Sequence, residues 1–122
     1  MSGRVDDANA VRDVLEDYIR GTRDSDGELL ASLFHPSAVV AGWFGDELLV
    51  GGPDGFVKRA SETACGPDYR ACVSSVEVTG RTAEATVLED GLWGGMSFVN
   101  RFHLVLMPNG NWTITAKLYH RD

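Results

Sequence analysis

A chain of 122 residues has room for one hydrophobic core, and a second domain would be too small to bury its own. With 43% hydrophobic and 24% charged residues, the composition is that of an ordered globular protein, not a disordered one. A net charge of −7 without a cluster of Lys and Arg argues against nucleic acid and anionic membranes as partners, because both demand a basic face.

The opening residues, MSGRVDDANAV, lack the apolar core of a signal peptide, and no apolar run is long enough to span a bilayer. Cys65 and Cys72 stand apart without metal-ligand spacing and read as free thiols in a reducing compartment, not as a disulfide. A cytoplasmic location is expected, with no metal site and no cofactor.

Asp6 or Asp7 can open a first helix. Ala8, Val11, Leu15, Tyr18 and Thr22 then recur at three- and four-residue spacing, with Val14 and Ile19 widening the stripe, so this helix is amphipathic. Ser25 and Glu28 have capping-box spacing ahead of a short helix carrying Leu29, Leu30, Leu33 and Phe34, which His35-Pro36 stops. Ala38 to Ala41 and Glu47 to Val50 read as short strands about the turn at Gly45-Asp46. Pro53 suits the first turn of a third helix with Phe56, Val57 and Ala60 facing inward.

From Asp68 the pattern is β: Tyr69 to Thr79, then Thr82 to Glu89, then a glycine-rich connection from Asp90 to Gly95. Met96 to His120 reads as a long hairpin turning at Pro108-Asn109-Gly110. Met96, Phe98, Phe102, Leu104 and Leu106 alternate on its first arm, and Trp112, Ile114, Ala116 and Leu118 on its second. Asn100 interrupts the first inward row and His120 ends the second, and each polar group needs a partner if buried. Three helices followed by an antiparallel meander describe a single α+β roll spanning residues 1–122, its curved sheet wrapping the long first helix.

The order of these elements resembles the nuclear-transport-factor-2-like (NTF2-like) superfamily, and within it the SnoaL-like or "Putative lumazine-binding" branch. The resemblance rests on Tyr18-Ile19-Arg20-Gly21, Asp26 with Leu30, Leu33-Phe34-His35-Pro36-Ser37-Ala38, Gly42, Phe56, the Val76 to Ala83 turn, and the closing Trp112 to His120. It implies a cone-shaped roll of a curved, mainly antiparallel sheet around three N-terminal helices, enclosing a pocket.

Isomerases of that superfamily pair a tyrosine late in the first helix with a late-strand acid and a carboxylate base after the second helix. Tyr18 resembles the first and Asn100 falls near the second, but the base position falls near Gly42, which has no side chain. The Asp-Arg-Asp of its epoxide hydrolases has no counterpart, with Glu89 or Asp90 the only acids near a pocket rim. His35, His103 and His120 are better placed for structural than for catalytic work, as a helix-end group, an outward strand residue and a residue near the chain end.

The expected function is a small-molecule binder with an apolar pocket, contacted by Tyr18, Trp43, Trp93, Phe98, Asn100 and His120. The alternative is a SnoaL-like cyclase, isomerase or dehydratase on a small hydrophobic or polyketide-like substrate, with His120 or Glu89 as base. The outward hairpin face is too apolar to meet only water, so a homodimer is expected through Val99, Arg101, His103, Val105, Lys117 and Tyr119.

Overall fold

The structure, a computed structural model, describes residues 3–122. Helix α1 (Arg4–Arg23) buries Val11, Leu15, Tyr18, Ile19 and Thr22 as one stripe against the sheet. Asp6 and Asp7, expected to open it, lie inside its first turn, where their charges complement the exposed backbone N–H groups. Helix α2 (Gly27–Leu33) is capped by Asp26, whose carboxylate accepts from the Leu29 N–H at 3.1 Å. Ser25, the residue with capping-box spacing, instead turns through a left-handed backbone (φ 53°) that brings Asp26 into position. Helix α3 (Asp54–Glu62) follows Pro53 and buries Ala60, with Phe56 and Val57 half-buried.

The sheet has six strands: β1 (Phe34–Phe44), β2 (Glu47–Gly51), β3 (Arg70–Thr79), β4 (Thr82–Leu92), β5 (Met96–Leu106) and β6 (Trp112–Arg121). Their order is β2-β1-β6-β5-β4-β3. Only β1 against β6 is parallel; the expected meander β3–β6 is antiparallel throughout. β1 starts at Phe34, directly after α2, because Pro36 cannot continue a helix and holds the preceding residue extended.

Tyr18, Leu15 and Val11 meet Leu30, Phe102, Leu104, Ile114 and Val87 in a fully buried core. Burial of each large side chain stabilises the fold by about 1.5–3 kcal/mol. The Tyr18 ring packs edge-on to Phe102 at 4.9 Å and stacks on Phe56 at 5.5 Å, which joins helix α1 to α3 across the sheet.

One irregularity in β6 decides the site. Leu106 pairs with Trp112 and Leu104 with Ile114, but the next residue, His103, pairs with Ala116. Thr115 is the extra residue, and its hydroxyl donates to the His103 carbonyl at 3.2 Å. A single inserted residue exchanges the faces of everything beyond it. Trp112 and Ile114 therefore face the core as expected, while Lys117 is buried and Leu118 and His120 are exposed, the reverse of simple alternation. On β5 the alternation has no such slip: Phe98, Asn100, Phe102 and Leu104 are all buried.

A candidate ligand-binding cavity

A cavity of about 550 Å³ opens between α3, the β1–β2 hairpin and the inner face of β4–β6. Apolar side chains make most of its wall, among them Val40 and Phe44 of β1, Leu49 and Val50 of β2, Phe56 of α3, and Trp93 and Phe98 beyond β4. Trp93 adopts a left-handed backbone (φ 48°) between glycines, held there as its N–H donates to the Cys65 carbonyl at 3.1 Å. This turns its indole toward Phe98 (6.2 Å, edge-on) and Phe56 (6.4 Å). Arg59 lies over both Phe44 (4.7 Å) and Trp93 (4.9 Å), which fixes a cation at the wall.

A carboxylate and an amine of the sheet also line this apolar space. Glu89 of β4 is 2% exposed, and both its oxygens are engaged: Asn100 Nδ2 donates to Oε1 at 2.7 Å and the Tyr69 hydroxyl to Oε2 at 2.7 Å. Lys117 of β6 is 5% exposed, with its Nζ 3.4 Å from the Phe56 ring centre, 5.2 Å from Tyr18 and 5.5 Å from Tyr119. Among the described residues its ammonium makes no ion pair. Burial pushes its amine down to about 7, against a smaller upward pull from Glu89. Burial, and then the Glu89 charge, raise the phenols of Tyr18 and Tyr69.

The expected contacts divide into three groups. Trp93 and Phe98 line the cavity as expected. Tyr18 and Asn100 are fully buried one layer behind its wall. Tyr18 backs Lys117, while Asn100 holds Glu89 and also donates to the Val87 carbonyl at 3.2 Å.

Trp43 and His120 are placed elsewhere. Trp43 sits on the outward parity of β1, 47% exposed and paired in register with His120. His120 is turned outward by the Thr115 bulge, 3.6 Å from the Asp122 carboxylate. Conversely Lys117 and Tyr119, expected on the outer face, line the cavity for the same reason. Phe44 takes the place foreseen for Trp43, one residue along the strand.

Gly42, the position that resembles the isomerases' general base, is buried with the Tyr119 backbone filling the space any side chain would need. His35 accepts from the Ser37 N–H at 3.0 Å, a local turn contact. His103 lies on the outer face, 3.4 Å from Glu84. Cys65 and Cys72 are free. No group of three or more His, Cys, Asp or Glu among the described residues could hold a metal ion, and no helix is long and apolar enough to cross a membrane.

Residues 6–120 match the family described as "Putative lumazine-binding". No curated protein matches the chain. Among solved structures it is similar to an NTF2-like protein of unknown function from Silicibacter pomeroyi DSS-3, at 27% identity with a TM-score of 0.89 over 99% of this chain and 100% of that one. It is also similar to NTF2-like proteins of unknown function from Methylobacillus flagellatus KT (27% identity, TM-score 0.86, 99% and 96% covered) and Shewanella baltica OS155 (23%, 0.89, 100% and 98%). With the family match spanning nearly the whole chain and the α+β roll in place, this protein belongs to the "Putative lumazine-binding" family of the NTF2-like superfamily.

Proposed function

We propose that the protein binds a small, largely apolar organic molecule carrying an anionic or carbonyl oxygen, with Lys117 as its polar anchor. The observation that carries this reading is a buried ammonium that lines the cavity and has no ion-pair partner among the described residues. A buried charge ordinarily needs such a partner, and an acceptor on a ligand supplies one. The aromatic wall, with Phe44, Phe56, Trp93 and Phe98, suits a flat apolar body.

The probe for this reading is 8-anilino-1-naphthalenesulfonate, an anion on an apolar body whose fluorescence rises out of water. It is expected to bind saturably, and Lys117→Met to weaken it about tenfold, since a charge-assisted hydrogen bond is worth ~1.5–3 kcal/mol. Equal affinity for both proteins would remove Lys117 from the site.

A second reading rests on Glu89, a carboxylate at the cavity held at both oxygens. Here the cavity is that of a SnoaL-like enzyme with Glu89 moving a proton. Its signature is exchange of the protons beside a cyclic ketone's carbonyl in deuterated water, lost in Glu89→Gln. The binding reading is preferred because both Glu89 oxygens already accept hydrogen bonds, whereas Lys117 has none to lose.

The outer sheet face supports self-association. In register, Trp43, His120, Val99 and Leu88 form a row across four strands, with Leu118 beside it at 55% exposure. We infer a homodimer packed through this face, with Arg101, His103 and Val105 at its surround and without Lys117 or Tyr119. The free Cys65 and Cys72 support a reducing, cytoplasmic setting.

A further inference from the structure

We propose that Lys117 is an amine nucleophile and that the cavity takes an aldehyde or ketone on an apolar body, which Lys117 captures as an imine. This deepens the reading of the cavity as a small-molecule site and rests on it.

The geometry separates Lys117 from a structural lysine. A buried lysine kept for stability is normally neutralised by a carboxylate. Glu89 is the one buried acid among the described residues, and its two oxygens are taken by Tyr69 and Asn100. Lys117 is left against ring faces, 3.4 Å from the centre of Phe56. The charged and titratable groups around it are Glu89 of β4, Tyr18 of α1, Tyr119 of β6, and Lys58, Arg59 and Glu62 along α3.

Attack on a carbonyl needs the neutral amine. Burial favours that form, bringing the amine to about 7, so a substantial fraction is unprotonated near neutrality.

The step balances without oxidant or reductant. The Nζ lone pair adds to the carbonyl carbon and the C=O π pair moves to oxygen. A proton then passes from nitrogen to that oxygen, giving the carbinolamine. Both Glu89 oxygens are taken by Tyr69 and Asn100, so this proton passes through a water molecule. A proton taken from water lets that oxygen leave as water while the nitrogen lone pair forms the C=N bond. The resulting iminium returns its N–H proton to water to give the imine, and addition of water reverses the sequence. The apolar wall limits water and so favours the imine.

The chain has two lysines, Lys58 and Lys117, which permits an internal comparison. Lys58 is exposed on α3. The intact protein is treated with trans-cinnamaldehyde and sodium cyanoborohydride at pH 7, and the adduct (a gain of the aldehyde less one oxygen) is located by peptide mass mapping. Labelling at Lys117 is expected to be at least about tenfold faster than at Lys58, because ordinary lysines are almost wholly protonated at that pH. Saturating 8-anilino-1-naphthalenesulfonate should slow labelling at Lys117 far more than at Lys58, whose exposed side chain stands at the α3 edge of the same cavity. Lys117→Arg, which keeps the charge, should retain the near-ultraviolet circular dichroism and lose the adduct at position 117 while keeping that at Lys58. Equal rates at the two lysines, or no adduct at Lys117, would overturn the proposal. If the fluorescent anion binds while Lys117 stays unlabelled, the imine inference falls and the binding site stands. If neither occurs, both fall.

Discussion

Lys117 concentrates what this molecule does with single residues. Its alternation with Trp112 and Ile114 on the strand predicts an outward side chain, and the structure buries it instead. The consequence is measurable in stability. Its amine, ordinarily near 10.4 in an unfolded chain, is lowered to about 7 in the fold. Between those values the unfolded state holds one more proton than the native state, so stability rises with pH from about 7 to about 10. Below pH 7 the full cost of burying the ammonium is present. The raised phenols of Tyr18 and Tyr69 act oppositely, stabilising the fold up to pH 10 and losing that contribution above it. Lys117→Met is therefore expected to stabilise the protein at pH 6 by on the order of 1–4 kcal/mol, as when buried ions give way to apolar side chains. That advantage should shrink by pH 9.5 in denaturant titrations at the two pH values. Parallel pH profiles for the two proteins would show that Lys117 is solvated.

At the scale of elements, the hydrophobic spacing of α1 and the alternation of β5 were legible because each segment follows one period without interruption. Phe98, Asn100, Phe102 and Leu104 fall on the buried face, and Tyr18 on the buried stripe. β6 was legible only as far as Ile114. A bulge leaves no reliable mark in the residues that make it, and Thr115 is an unremarked β-branched residue in a strand of similar ones. From that point Lys117, Tyr119 and His120 exchange faces, which is why the site's main cation was expected on the outer surface. Trp43 failed for a simpler reason, since β1 begins at Phe34 and places odd-numbered Trp43 outward and Phe44 inward.

The parallel pairing of β1 with β6 depends on close approach at Gly42, where an added Cβ would collide with the Tyr119 backbone. Gly42→Ala should force these strands apart and destabilise the fold by ~2 kcal/mol or more, in the range of overpacked interiors. A thermal midpoint unchanged from wild type would mean that β1 is not seated as described. The same contact leaves no room for any side chain at Gly42.

At the scale of the whole molecule, the sheet has two faces with different work. The inner face encloses the core and one end of it forms the cavity, while the outer face presents Trp43, Leu88, Val99 and Leu118. The fold class was legible as a whole, because helix and strand periods and the turn residues agree along the entire chain. Size-exclusion chromatography with light scattering is expected to give a dimer at micromolar concentration and a monomer for Leu118→Glu, which puts a charge beside the row of Trp43, Val99 and Leu88. A wild-type monomer would assign that face to solvent and leave its exposed side chains without explanation.

The two lysines give the most direct access to the cavity. With the lysine side chains labelled by ¹³C, Lys117 is assigned as the Cε resonance missing from Lys117→Met and followed through a pH titration, with and without 8-anilino-1-naphthalenesulfonate. The predicted midpoint is about 7 in the free protein, displaced upward when the bound anion stabilises the ammonium. A midpoint near the ordinary lysine value of about 10.4, unmoved by the anion, would contradict the placement of Lys117 in the cavity and the function built on it.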